Sequence, residues 1–88
     1  MSANTHKIEF YGLSTCIHCK HAREFLEKHN LKFDLHYVDL LEGEERAQAL
    51  ETVKKYNPQI SFPTIIIDDG KHVVVGFKPE ALEEILEL

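Results

Sequence analysis

Cys16 and Cys19 are the only cysteines of this chain, and they stand three residues apart where a strand-like run gives way to a helix-like one. Lys7-Ile-Glu-Phe-Tyr11 precedes them, and Gly12-Leu-Ser-Thr15 is the expected loop between strand and helix. That arrangement puts two thiols at a helix N-terminus. Backbone N–H groups there lack intrahelical acceptors and the helix dipole favours negative charge, so a thiolate is stabilised. The thiolate is the form of cysteine that attacks a disulfide. Side chains three apart on a helix have β-carbons roughly 5–6 Å apart, against the roughly 3.5–4.5 Å that a disulfide needs. A small adjustment of the first turn lets the pair cycle between dithiol and disulfide.

Periodicity extends the reading along the chain. Helix one is expected to reach about His29, with Cys19, Ala22, Leu26 and His29 on one stripe, Phe25 beside it and Asn30 as its stop. Strand two is expected over 32–39, where Phe33, Leu35 and Tyr37 alternate with polar residues. Helix two, about 44–56, carries Ala47, Leu50 and Val53 on its inner face and ends at Asn57-Pro58, since the residue before a proline is driven out of the helical region. Its acidic start, Glu42-Gly-Glu-Glu45, complements the dipole. Thr64-Ile-Ile-Ile-Asp68 is a short apolar run bounded by turn signals and predicts a buried strand. Asp69-Gly70 then predicts a two-residue hairpin turn into Val73-Val-Val75. Pro79 suits the first turn of a last helix, with Ala81, Leu82, Ile85 and Leu86 packing inward. The order β-α-β-α-β-β-α predicts an α/β domain over 7–88, after a short tail at 1–6. Its four-stranded mixed sheet has the first two strands parallel, because a helix joins them.

Composition narrows the function classes. A chain of 88 residues with 43% hydrophobic and 28% charged residues is a single globular domain. A formal net charge of −5 argues against nucleic acid as partner, because phosphate binding needs a basic face. The first residues have no apolar signal segment, and no apolar run is long enough to span a membrane. These features predict a cytoplasmic protein, in a compartment where a lone CxxC reads as redox or metal chemistry rather than a structural staple.

Four pieces carry a resemblance: Phe10-Tyr11, Cys16-Ile-His-Cys19, Ser61-Phe62-Pro63-Thr64 and Gly76-Phe77 before the last helix. Together with the element order they resemble the glutaredoxins, the thioredoxin fold in its smallest form. The resemblance implies a cis proline at Pro63 lying against the active-site sulfurs. It also implies a peptide there that offers N–H and C=O groups to an extended substrate chain. Three positions depart from the glutathione-using members. Leu13 replaces a lysine, His18 replaces a tyrosine, and Gly76-Phe77 replaces a Gly-Gly pair. Gly76-Phe-Lys-Pro79 is similar instead to the Gly-Phe-Arg-Pro stretch of the glutaredoxin-like redoxins that serve ribonucleotide reductase, which thioredoxin reductase generally recharges.

The expectation is a monomeric dithiol–disulfide oxidoreductase with no bound cofactor, acting on disulfide-containing protein or small-molecule substrates. Cys16 is the nucleophile and Cys19 the resolving thiol. His18, as a cation beside the Cys16 sulfur, favours the thiolate, and Lys20 adds positive field. Ser61, Phe62 and Pro63 dock the substrate backbone, Tyr11 and Phe77 form apolar walls, and Gly76 allows close approach. Electrons come from a thioredoxin-reductase-type partner in preference to glutathione. A metal or iron–sulfur carrier is the second reading, since Cys16, His18, Cys19 and His21 are close in sequence. It ranks lower because structural zinc closes with four ligands and a second pair is missing. The third reading is an inactive interaction module. The remaining histidines, His6, His29, His36 and His72, read as solvated surface.

Overall fold

The computed structural model describes residues 6–88. β1 (Ile8–Gly12) leads into α1 (Ile17–Lys28), β2 (Asp34–Tyr37), a 3-10 turn at Val38–Leu40 and α2 (Gly43–Tyr56). β3 (Thr64–Ile67), β4 (His72–Val75) and α3 (Pro79–Leu86) complete the expected element order. The strands form one mixed sheet in the order β2-β1-β3-β4. β1 is parallel to β2 and antiparallel to β3, and β4 is antiparallel to β3.

Strand alternation sorts the core into two layers. Ile8 and Phe10 of β1 and Ile65 and Ile67 of β3 face Cys19, Ala22 and Leu26 of α1 and Leu82 and Leu86 of α3. Tyr11 and Ile66 face the other way, onto Val38 and onto Ala49 and Val53 of α2. Every residue of β3 is buried, as the unbroken Thr64-Ile-Ile-Ile67 run predicts for a strand covered on both faces.

The structure corrects several details. β2 is four residues long rather than eight, ending where β1 offers no further partner: Gly12 pairs with Tyr37. Leu35, one of the alternating apolar residues of β2, is 39% exposed, since β2 is an edge strand and the α1/α3 layer is centred on β1 and β3. Ala47 is exposed, and the inner stripe of α2 is Ala49 and Val53 with Leu50 half-buried. His29 caps α1 from the solvent side and packs on Phe25, 4.5 Å between ring centroids, instead of joining the inner stripe. Asn30 does stop the helix, at φ 58°, while Leu31 N–H returns to the Leu26 carbonyl.

The β3–β4 connection spans Asp68–Lys71, since Ile67 and His72 are the last paired residues. Asp69-Gly70 still forms a tight turn, closed by Lys71 N–H on the Asp68 carbonyl at 3.2 Å. Asp68 itself lies at φ 56°, which lengthens the connection beyond the expected two residues. It is held there by the start of β1. Asp68 accepts from Lys7 N–H at 3.0 Å and bonds the His6 ring at 2.7 Å, and its own N–H donates to the Lys7 carbonyl at 2.8 Å. His6 is thus anchored rather than part of a free tail, while residues 1–5 of that expected tail lie outside the described residues.

Gly70 is the position this turn can least change. Its φ of +99° suits glycine, and a Cβ there would overlap the Tyr56 ring. Gly70→Ala should destabilise the domain by about 2 kcal/mol, read as a lower urea midpoint with an unchanged m value. In a Tyr56→Ala background the overlap is gone, and the same change should cost about 1 kcal/mol from backbone strain alone.

Candidate functional site

Three distant segments meet at one end of the sheet. Tyr11 lies opposite Thr64, and Thr64 lies opposite Val75, so the end of β1, the start of β3 and the end of β4 are neighbours. The chain leaves β1 there to begin α1, enters β3 there through Ser61-Phe62-Pro63, and leaves β4 there through Gly76-Phe77. Gly76 N–H donates to the Pro63 carbonyl at 2.8 Å and ties the last two segments together.

Cys16 is the N-cap of α1. Its backbone is extended, and its sulfur accepts the Cys19 N–H at 3.3 Å. Its carbonyl takes the Lys20 N–H at 3.0 Å, the first bond of the helix. Oxygen side chains usually fill this position; here a thiol does. Cys16 is partly exposed, whereas Cys19 is fully buried on the stripe with Ala22 and Leu26. Gly12 lets Cys19 sit against β1, since a Cβ there would come within 3.2 Å of the Cys19 sulfur and 2.8 Å of the Phe10 ring. Leu13 N–H is directed at Cys19 Sγ, 3.4 Å away. Burial pushes the Cys19 thiol up to about 12, the neighbouring Cys16 thiol and the Asp39 carboxylate add to this, and the Leu13 N–H opposes it.

The Phe62–Pro63 peptide is cis, and Pro63 is buried. The chain entering it is fixed by Asn57, which is 6% exposed. The Asn57 amide donates to the Ser61 carbonyl at 3.2 Å, Ser61 Oγ at 3.0 Å and Thr64 Oγ1 at 3.1 Å. The Thr64 hydroxyl donates to the same Ser61 carbonyl at 2.7 Å. Asn57, expected from the sequence to end α2, thus also holds this segment, a role that no local spacing signals because its partner Thr64 lies seven residues ahead. Gly76 has φ +84°, and a Cβ built on it meets nothing within 4 Å, so the space over this backbone is open. Phe77 is half-buried, edge-on to Phe25 at 5.9 Å and to His21 at 6.2 Å.

Of the expected site residues, Ser61, Phe62, Pro63, Gly76 and Phe77 lie at the end of the sheet where the chain leaves β1 for α1 with Cys16 and Cys19. The Tyr11 side chain is not among them. Its ring lies in the α2 layer on the opposite face from Phe10 and Cys19, 7% exposed and stacked on His36 at 4.6 Å. Burial raises its phenol. His18 and Lys20 lie on the exposed side of the first turn, and among the described residues no hydrogen bond joins the His18 ring to Cys16. No group of three or more His, Cys, Asp or Glu side chains among the described residues is arranged to hold a metal ion. No described helix is long and apolar enough to cross a membrane.

A helix that opens on two cysteines, leading out of the first strand of a four-stranded mixed sheet in the order β2-β1-β3-β4, is the arrangement of the thioredoxin fold. The glutaredoxin family model matches residues 8–73, and the chain belongs to the glutaredoxin family. Among solved structures, it is 44% identical to the glutaredoxin from Methanosarcina mazei Go1, with a TM-score of 0.86 over 93% of this chain and 79% of that one. It is 41% identical to the methanoredoxin of Methanosarcina acetivorans, with a TM-score of 0.88 over 93% of this chain and 85% of the other. An uncharacterized glutaredoxin-like 8.6 kDa protein in the rubredoxin operon of Clostridium pasteurianum is 28% identical, covering 91% of this chain and 97% of that protein.

The unequal burial of the two thiols has a direct readout. Under reducing, native conditions near neutral pH, iodoacetamide should add one carbamidomethyl group per chain, on Cys16, because Cys19 is buried and stays protonated well above that pH. Unfolding in urea should expose the second site. Peptide mass mapping distinguishes this from modification of both thiols at similar rates.

Proposed function

We propose that this chain is a dithiol–disulfide oxidoreductase in which Cys16 attacks and Cys19 resolves. The asymmetry of the pair carries the reading: the accessible sulfur caps the helix and accepts an N–H, while the other is buried one turn further in. The Cys16 thiolate attacks one sulfur of a substrate disulfide, and the other sulfur departs as a thiol. Cys19 then attacks the mixed disulfide, the second substrate thiol leaves, and the Cys16–Cys19 disulfide remains.

Substrate docks along Ser61-Phe62-Pro63. The Phe62 N–H and C=O enter no backbone hydrogen bond within the described chain, which leaves them for an extended partner strand. The open space over Gly76 admits the same partner. Leu13 supplies no charge for a glutathione carboxylate, and Phe77 puts a ring where close backbone approach would need glycine. A thioredoxin-reductase-type protein is therefore the preferred electron donor, in a reducing compartment such as the cytoplasm.

Cys16→Ser should abolish reduction of a protein disulfide such as that of insulin. Cys19→Ser should instead accumulate a mixed disulfide with it, seen as a higher-mass band on non-reducing gels that dithiothreitol removes. Trapping by Cys16→Ser alone would exchange the two roles, and equal trapping by both variants would dissolve them. Recharging should be efficient with thioredoxin reductase and NADPH and poor with glutathione and its reductase, and the reverse order would overturn the donor preference.

A further inference from the structure

Ser14, two residues before Cys16, is tied twice to Asp39. Its N–H donates to Oδ1 at 2.9 Å and its hydroxyl donates to Oδ2 at 2.5 Å. Ser14 belongs to the β1–α1 loop and Asp39 to the 3-10 turn after β2, so this carboxylate pins the active-site loop to a different part of the fold. The residue next to Ser14 makes both contacts that matter to the thiols. Leu13 N–H points at Cys19 Sγ at 3.4 Å, and the Leu13 carbonyl takes the Cys16 N–H at 3.2 Å.

We infer that Asp39 is a positioning residue for the resolving step, acting through Ser14 to hold the Leu13 N–H on the Cys19 sulfur. The inference rests on the oxidoreductase reading above. In that step the Cys19 thiol loses its proton, which the departing partner sulfur takes up, and the Cys19 sulfur forms a bond to the Cys16 sulfur. The bond from Cys16 to the partner sulfur breaks, and the partner leaves as a thiol carrying that proton. Cys19 is fully buried, so its developing anion has lost its hydration and depends on donors that the protein supplies. Among the described residues, the Leu13 N–H is the hydrogen bond made to it. A loop freed from Asp39 would let that donor drift.

Clamp and charge act in opposite directions, which makes them separable. The hydrogen bonds favour the Cys19 anion through Leu13, while the negative charge of Asp39 disfavours it. The other titratable groups bearing on the two are Cys16, beside Cys19, and Arg46 of α2, whose charge acts on Asp39. Asparagine at this position separates the two effects. Its carbonyl can accept the Ser14 N–H and its amide can donate to the Ser14 hydroxyl, with no charge.

The test uses bis(thionitrobenzoate) disulfide, which releases one coloured thiolate when Cys16 attacks and a second, independent of reagent concentration, when Cys19 resolves. Asp39→Ala should slow the second release about tenfold and the first less than about twofold, the size expected for one lost hydrogen bond to an anion. Its second release should also need higher pH. Asp39→Asn should restore the second release to at least the wild-type rate and move its pH profile lower. If the alanine variant fails to fold, Ser14→Ala, which deletes only the hydroxyl bond, should slow the second release about threefold. The inference is overturned if a folded Asp39→Ala or Ser14→Ala protein resolves at the wild-type rate. It is likewise overturned if both releases slow equally, or if asparagine fails to rescue. A wild-type protein that releases no first thiolate would bring down the oxidoreductase reading itself.

Discussion

The bond from Cys19 N–H to the Cys16 sulfur is where fold and chemistry become the same object. A helix start leaves several N–H groups without partners, and a capping acceptor is what makes the start definite. In this chain that acceptor is the sulfur of Cys16. α1 is also the crossover that allows β1 and β2 to run parallel, because parallel neighbours cannot be joined by a hairpin. The cap therefore sets where the crossover begins, and with it the height at which the thiols stand above the end of the sheet.

Below that point the sheet works as a partition. Ile65 and Ile67 share a layer with Phe10 and Cys19, while Ile66 shares the other with Tyr11 and Val53. Cys19 is thus immersed in the larger apolar layer, which it shares with Leu82 and Leu86 of α3. That burial raises the pKa of the Cys19 thiol and keeps it protonated.

Much of this was legible in the residues, and the failures have a common cause. The CxxC spacing, the unbroken Thr64-Ile-Ile-Ile67 run, Pro79 and the resemblance at Pro63 were enough to place the elements and predict the mixed sheet. Those signals are local. Ala47 against Ala49, the exposure of Leu35 and the outward turn of His29 depend on which neighbour covers each face, and helical or strand periods leave that choice open. Tyr11 sits next to Phe10 in sequence but one pleat away in space, which carried it to the far side of the sheet from the thiols. The Ser14–Asp39 and Asn57–Ser61 contacts were invisible for a related reason. Each joins ordinary polar residues whose spacing matches no period, and only the closed fold makes them partners.

The Asp68 junction has a practical corollary for anyone handling this protein. It fastens His6 and Lys7 to the β3–β4 turn, and Ile8 pairs with Ile67 at that end of the sheet while Tyr11 pairs with Thr64 at the other. Whatever is fused ahead of His6 emerges at the pole remote from Cys16, Pro63 and Gly76. A fluorophore, affinity handle or surface tether placed there leaves the reactive end facing outward, so immobilised protein should present its thiols in a uniform orientation.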